Sequence, residues 1–224
     1  MGKVLLAWSS GKDSAWSLHR LRQQGVAVAA VLTTINEAAD RVAMHGVRRA
    51  LLEAQEAALG IPVWKVPLPW PCSNDDYEQR MAEACRRAVV EGFDRIAFGD
   101  LFLRDIRAYR ERQLAGSGLA PLFPLWELPT AQLARDMIAG GLRARLSCVD
   151  SKQIDGAFAG REFDRKLLED LPAKADPCGE NGEFHTFVYD GPMFQHPLRI
   201  QGGEVRDVGG FIYADLMECP ESSR

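Results

Sequence analysis

Along the first hundred residues, short runs of apolar side chains alternate with segments whose apolar positions recur every three or four residues. Residues 3–9 form an apolar run that predicts a strand. A small polar loop separates it from the helical pattern Ala15, Leu18, Leu21, which closes at Gly25. A second strand, rich in β-branched residues and alanine, is expected over 26–34. Val47, Leu51, Leu52 and Ala58 carry a helical stripe over 45–59, and residues 61–66 predict a third strand. Ser73, Asn74, Asp75 and Asp76 supply helix-capping chemistry, and Met81, Cys85, Val89 and Val90 give the stripe that follows, up to Gly92. A fourth, very short strand is expected over 95–99, with Asp100 directly after it. Such alternation builds βαβ units on a parallel sheet, so residues 1–126 are expected to form a doubly wound α/β domain.

The pattern loosens afterwards. Prolines punctuate the stretch from Ala120 to Trp126, and Thr130 caps a helix reaching about residue 138, ahead of Gly140 and Gly141. A strand is expected over 143–149, a helix over 161–171, and strand-like pieces over 184–189 and 211–216, divided by Gly-Pro and Gly-Gly turns. Residues 127–224 are therefore expected to form a smaller α+β domain, joined stiffly near Trp126.

Composition narrows the function. The 224 residues are 46% hydrophobic and 26% charged, as in an ordinary globular protein. No apolar run approaches the roughly 18–20 residues that span a bilayer, and the run at 4–8 is too short for a signal peptide. A cytoplasmic protein with no membrane partner is expected. A net charge of −4 gives no basic field for nucleic acid. The five cysteines form no CxxC pair, which argues against a disulfide framework or a zinc knuckle and for reduced thiols.

The strongest chemical signal is Ser9-Ser10-Gly11-Lys12-Asp13-Ser14, between the first strand and the first helix. Small residues there let backbone N–H groups approach an anion, and the helix N-terminus adds partial positive charge. Lys12 can supply a point charge, and Ser9 and Ser14 can donate hydroxyl hydrogen bonds. This is not a Walker A loop, because Leu6 stands where its first glycine belongs and Asp13 follows Lys12. Read without further context, the same residues also describe a capped turn. The segment resembles the SGGxDS loop of the N-type ATP pyrophosphatases, with Ser10 in place of a glycine. Serine is tolerated there if its φ is negative; a positive φ would cost stability.

A second signature, Cys178-Gly179-Glu180-Asn181-Gly182-Glu183-Phe184-His185-Thr186 with Asp190-Gly191-Pro192, places two carboxylates three residues apart around a glycine-permitted turn. It is similar to the CGEGGE(Y/F)ET…D(C/G)P signature of the diphthine–ammonia ligase (diphthamide synthase) family, with Asn181 for a glycine and His185 for a glutamate. Asp100 after the fourth strand, Arg107 and Glu111 beyond it, His45 after Met44, the Ala120-Pro121-Leu122 stretch with Trp126, and Met137-Ile138 ahead of Gly140 also match that family.

The resemblance implies an adenine nucleotide alpha hydrolase-like fold. It also implies a ligase that adenylates a carboxylate with ATP and magnesium, releases pyrophosphate, and amidates the product with ammonia. The six loop residues would bind ATP, with Asp13 near the metal. His45, Asp100, Arg107, Glu111, Gly179, Glu180, Asn181, Gly182, Glu183, His185 and Thr186 would serve catalysis or the acceptor. Glu180 and Glu183 could bind ammonium or take its proton. Of Arg104, Arg107, Arg110 and Arg112, Arg107 is the expected ligand contact, and Trp64, Trp70 and Trp126 are expected in the core or a pocket wall. Arginine outnumbers lysine, as in GC-rich bacterial genomes, and a bacterial chain would call for an acceptor other than diphthine. A nucleotide sensor and an RNA-modifying adenylating enzyme are the competing readings; the latter lacks paired cysteines here.

Overall fold

The computed structural model describes residues 2–219. Its first part runs β1 (Lys3–Ala7), α1 (Lys12–Gln23), β2 (Val28–Asn36), β3 (Arg41–Val42), α2 (Arg49–Leu59), β4 (Val63–Leu68), α3 (Asn74–Val90), β5 (Phe93–Ala97), α4 (Arg104–Leu114) and β6 (Ala120–Leu122). The second part runs α5 (Thr130–Ala139), β7 (Arg143–Asp150), a 3-10 turn (Gly156–Phe158), α6 (Arg165–Asp170), β8 (Phe184–Asp190), β9 (Ile200–Val208) and β10 (Phe211–Glu218).

β1 pairs in parallel with β2 on one side and β5 on the other; β4 extends the sheet beyond β2, and β6 beyond β5. The short β3 adds antiparallel to the end of β2. Sequence order therefore reverses at β1, and the crevice at the carboxyl ends of β1 and β5 is where an open α/β sheet binds ligands. Val4, Leu5 and Leu6 are wholly buried, which is why β1 reads as an unbroken apolar run.

Alternate side chains feed two cores. Leu5, Leu32 and Ile96 pack with Ala84 and Ala88 of α3. Val4, Leu6 and Val31 face the other way, into a cluster that takes in α1 and α2 and continues through Met137, Leu146, Phe187 and Leu216 of the second part. That part is a four-stranded antiparallel sheet in the order β8-β7-β10-β9. All five cysteines are free.

Several elements differ from expectation. The helix expected from residue 45 starts at Arg49, because residues 41–48 form β3 and a turn in which Met44 and Gly46 take left-handed backbone. The helix expected over 161–171 is only Arg165–Asp170; Asp164 caps it by accepting from Leu167 N. α4 escapes periodicity because Leu114 is its one buried residue. β9 escapes because none of its side chains is buried.

Candidate functional site

The loop after β1 is held from three directions. Gln55, fully buried on α2, accepts from Trp8 Nε1 (2.9 Å) and donates through Nε2 to the carbonyls of Ser10 (3.2 Å) and Val188 (2.7 Å). Val188 N on β8 donates to Ser10 O (2.9 Å), and Lys12 N donates to Thr186 Oγ1 (3.0 Å). Ser14 Oγ donates to Gly11 O at 2.9 Å and lies 3.3 Å from Ser9 Oγ. The two signatures, 174 residues apart in the chain, thus meet in one place.

Ser10 takes φ +68°, so the negative φ under which serine is unstrained does not hold. Its buried hydroxyl has no hydrogen-bond partner. Gly11 is required sterically: a Cβ there would sit 2.8 Å from His45 Cε1 and 3.1 Å from Thr186 O. Gly99 is required for the same kind of reason, since a Cβ would lie 3.0 Å from the Asp13 carbonyl carbon. Removing it lets the end of β5 close on the first turn of α1.

A cleft of about 650 Å³ opens over the loop. Of the residues expected from sequence, Ser9, Lys12, Asp13, Ser14, His45, Asp100, Gly179, Glu180, Gly182, His185 and Thr186 line it. Ser10 and Gly11 are buried and do not line it. Trp70 and Met44, both largely exposed, stand at its wall, whereas Trp64 is in the core and Trp126 packs edge-on against Phe123.

Lys12 is buried and pairs with Asp13 at 2.8 Å, its ammonium lying over the rings of Phe184 and Phe163. Burial works against that charge, but Asp13 and Glu180 outweigh it and keep Lys12 protonated. Glu180 Oε1 accepts from Leu101 N (2.7 Å) and Phe102 N (3.4 Å). Burial, with the charge of Asp13, still pushes Glu180 up to about 7. Asp100 is raised by burial, and its Oδ2 has no hydrogen-bond partner; the nearest cation is Arg110 Nε at 3.8 Å. His45 Nδ1 lies 3.1 Å from Thr186 O, a carbonyl that only accepts, so the proton sits on Nδ1 and Nε2 keeps its lone pair.

Other expected residues lie elsewhere. Glu183, almost fully buried, accepts from Asp176 N (2.7 Å), Asn181 N (3.0 Å) and Asn181 Nδ2 (3.1 Å), so it folds the turn rather than facing the cleft. Asn181 is exposed. Arg107 and Glu111 pair with each other at 2.8 Å, away from the cleft lining, with the Arg107 guanidinium 4.7 Å from the Phe123 and Trp126 rings. Arg110, three residues further along α4, is the arginine in the lining. It is fixed over Phe98 at 4.9 Å and donates to Tyr77 Oη at 3.3 Å.

Among the described residues no three His, Cys, Asp or Glu side chains gather as a ready metal cage, and no helix is long and apolar enough to cross a membrane. A nucleotide-borne magnesium asks for only one or two protein carboxylates, and the orphaned Asp100 Oδ2 fits that need.

Comparison with known proteins adds the family. The diphthamide synthase N-terminal domain matches residues 2–121, and the diphthamide synthase C-terminal domain matches residues 129–214. The chain is 23% identical over 238 residues to the diphthine–ammonia ligase of Schizosaccharomyces pombe, covering 97% of this chain and 39% of that protein. It is 26% identical over 223 residues to the diphthine–ammonia ligase of Danio rerio, covering 88% of this chain and 85% of that one. A crystal structure described as a predicted subunit of tRNA methyltransferase from Methanocaldococcus jannaschii gives a TM-score of 0.45 at 16% identity, over 88% of this chain and 100% of that one.

Proposed function

The chain belongs to the diphthamide synthase family, and on that premise we propose that it is an ATP-dependent ligase that joins ammonia to a carboxylate by way of an acyl-adenylate. The observation that carries this reading is the meeting of the loop after β1 with the Glu180–Thr186 segment in one cleft. A protein that only bound nucleotide would have no use for the second set of groups.

The loop 9–14, with the N-terminus of α1 and Lys12, cradles the triphosphate. Residues 1–126 serve the nucleotide and 127–224 the acceptor. Asp100 and Asp13 would hold magnesium, which would supply charge neutralisation between the phosphates and the incoming carboxylate. A carboxylate oxygen attacks the α-phosphorus, the α–β bond breaks, and pyrophosphate leaves. Ammonia then attacks the acyl carbon, AMP departs, and the nitrogen sheds a proton. Glu180, poised near 7, is the group that takes it. Arg110 replaces Arg107 as the cation facing the acceptor, because it is the arginine in the cleft.

The test is product analysis with ATP, magnesium and ammonium, using diphthine first, as the relatives' acceptor, and then other carboxylates. AMP and pyrophosphate formed together, dependent on the acid and abolished by Asp13→Ala, are expected. ADP and orthophosphate as sole products would overturn the reading.

A further inference from the structure

β9 is the outer strand of the antiparallel sheet, and its far side pairs with nothing among the described residues. It is nine residues long, and every residue after Ile200 is exposed. Edge strands of that length are ordinarily kept short, covered, charged or bulged. β9 is charged at Glu204, Arg206 and Asp207 and bulged between Val205 and Gly202, which leaves Val205–Val208 as its regular edge. Val205, Val208 and Phe211 add exposed apolar side chains around it, at 55%, 61% and 40% exposure.

Hairpin geometry determines which backbone groups are free. Gly209 and Gly210 both have positive φ, the signature of a two-residue turn that closes on a hydrogen-bonded pair, here Val208 with Phe211. Pairing alternates between the turn and the bulge that shifts the β9–β10 register between Val205 and Gly202, so in that stretch Arg206 faces β10 while Val205 and Asp207 turn their N–H and C=O groups outward. We propose that this edge joins two copies of the chain, antiparallel about a two-fold axis at Val205, into one continuous sheet.

The side chains select that register. With the axis at Val205, Glu204 of each copy lies opposite Arg206 of the other and Val205 meets Val205; beyond Glu204 the bulge ends the regular register, so the seam is the Glu204–Arg206 segment. An axis at Glu204, Arg206 or Asp207 instead sets identical charges face to face, and an axis between Val205 and Arg206 sets Glu204 against Asp207. Only the Val205 register among these is self-complementary, as an isologous interface demands. Within one chain Glu204 and Arg206 already lie on the same face, paired at 2.7 Å, so both are presented together to the second copy. Cross-strand pairs of opposite charge stabilise such a ladder and like charges oppose it.

Sedimentation velocity across a concentration series tests this with two charge reversals. The wild type should show a concentration-dependent dimer. Glu204→Arg and Arg206→Glu should each weaken it about tenfold or more, since each sets like charges together at both contacts. Mixing the two variants in equal amounts restores opposite charges at both contacts, so the mixture should dimerise again. That recovery also excludes misfolding as the cause of the losses. A wild type that stays monomeric up to about 100 μM, a range set by weak homodimer affinities, or a dimer unmoved by either reversal, would overturn the proposal.

Discussion

His45 and His185 stack in the cleft wall with ring centroids 4.5 Å apart and planes tilted by 35°. Burial, followed by the charge of His185, holds His45 well below its ordinary value, and burial pulls His185 down to about 4. Two neutral imidazoles therefore stand beside Lys12 at neutral pH. Where the family signature has an acid, this chain places an uncharged ring.

That pair makes folding sensitive to acid. Between the ordinary histidine value of 6.5 and about 4, the unfolded chain binds a proton that folded His185 refuses, so stability falls as pH drops through that window. Glu180 acts with the opposite sign, because its raised value adds stability as pH falls from about 7 towards 4.5. A difference experiment separates the two. Replacing His185 by Gln should shrink the stability lost between pH 7 and pH 5 by about 2 kcal/mol, read from urea unfolding at each pH. An unchanged loss would show that His185 is protonated in the folded state.

Glu180 and Glu183 should fail in different ways. Glu180→Gln removes the proposed proton acceptor while leaving one side-chain oxygen for Leu101 N and Phe102 N. Amide formation should drop about 10²–10³-fold, and the limb of the pH–rate profile near 7 should flatten. Glu183→Gln instead leaves backbone amides of the turn short of acceptors, at a cost of about 1–3 kcal/mol in stability. Equal melting temperatures for wild type and Glu183→Gln would contradict the turn-folding role.

Ser10→Gly should stabilise the chain. Left-handed backbone costs a non-glycine residue about 1–2 kcal/mol, partly offset by the greater freedom of glycine in the unfolded chain. The substitution also removes a buried hydroxyl that has no partner. A net gain of about 1 kcal/mol should raise the melting temperature by roughly 2–4 °C. A fall would mean that the hydroxyl has a partner in solution.

How far the sequence carried depended on burial. β1 and β2 were legible because most of their side chains are buried on both faces, β4 and β5 because of their buried apolar positions such as Trp64, Val66 and Ile96, and the loop because its residue types are rare in that combination. The resemblance ranks Arg107 above Arg110, and a helix with one buried residue offers no check on that ranking, since nothing in its pattern fixes which face turns inward. Glu180 and Glu183 look equivalent in sequence, yet a turn with left-handed Gly179 and Gly182 sends one into the cleft and the other under it. Gln55 gave no signal at all, because a single polar residue in an apolar stripe resembles noise until its three partners are seen.

The clasp between Lys12 N and Thr186 Oγ1 joins residues 174 positions apart in the chain. Synthesis on the ribosome lays down the loop after β1 well before the hydroxyl that fastens it, 174 residues later. A nascent chain therefore carries the loop unfastened until Thr186 has been made, and a product that stops short of that residue lacks the clasp. The fastened loop is in this sense a late product of translation, however early its own residues are made.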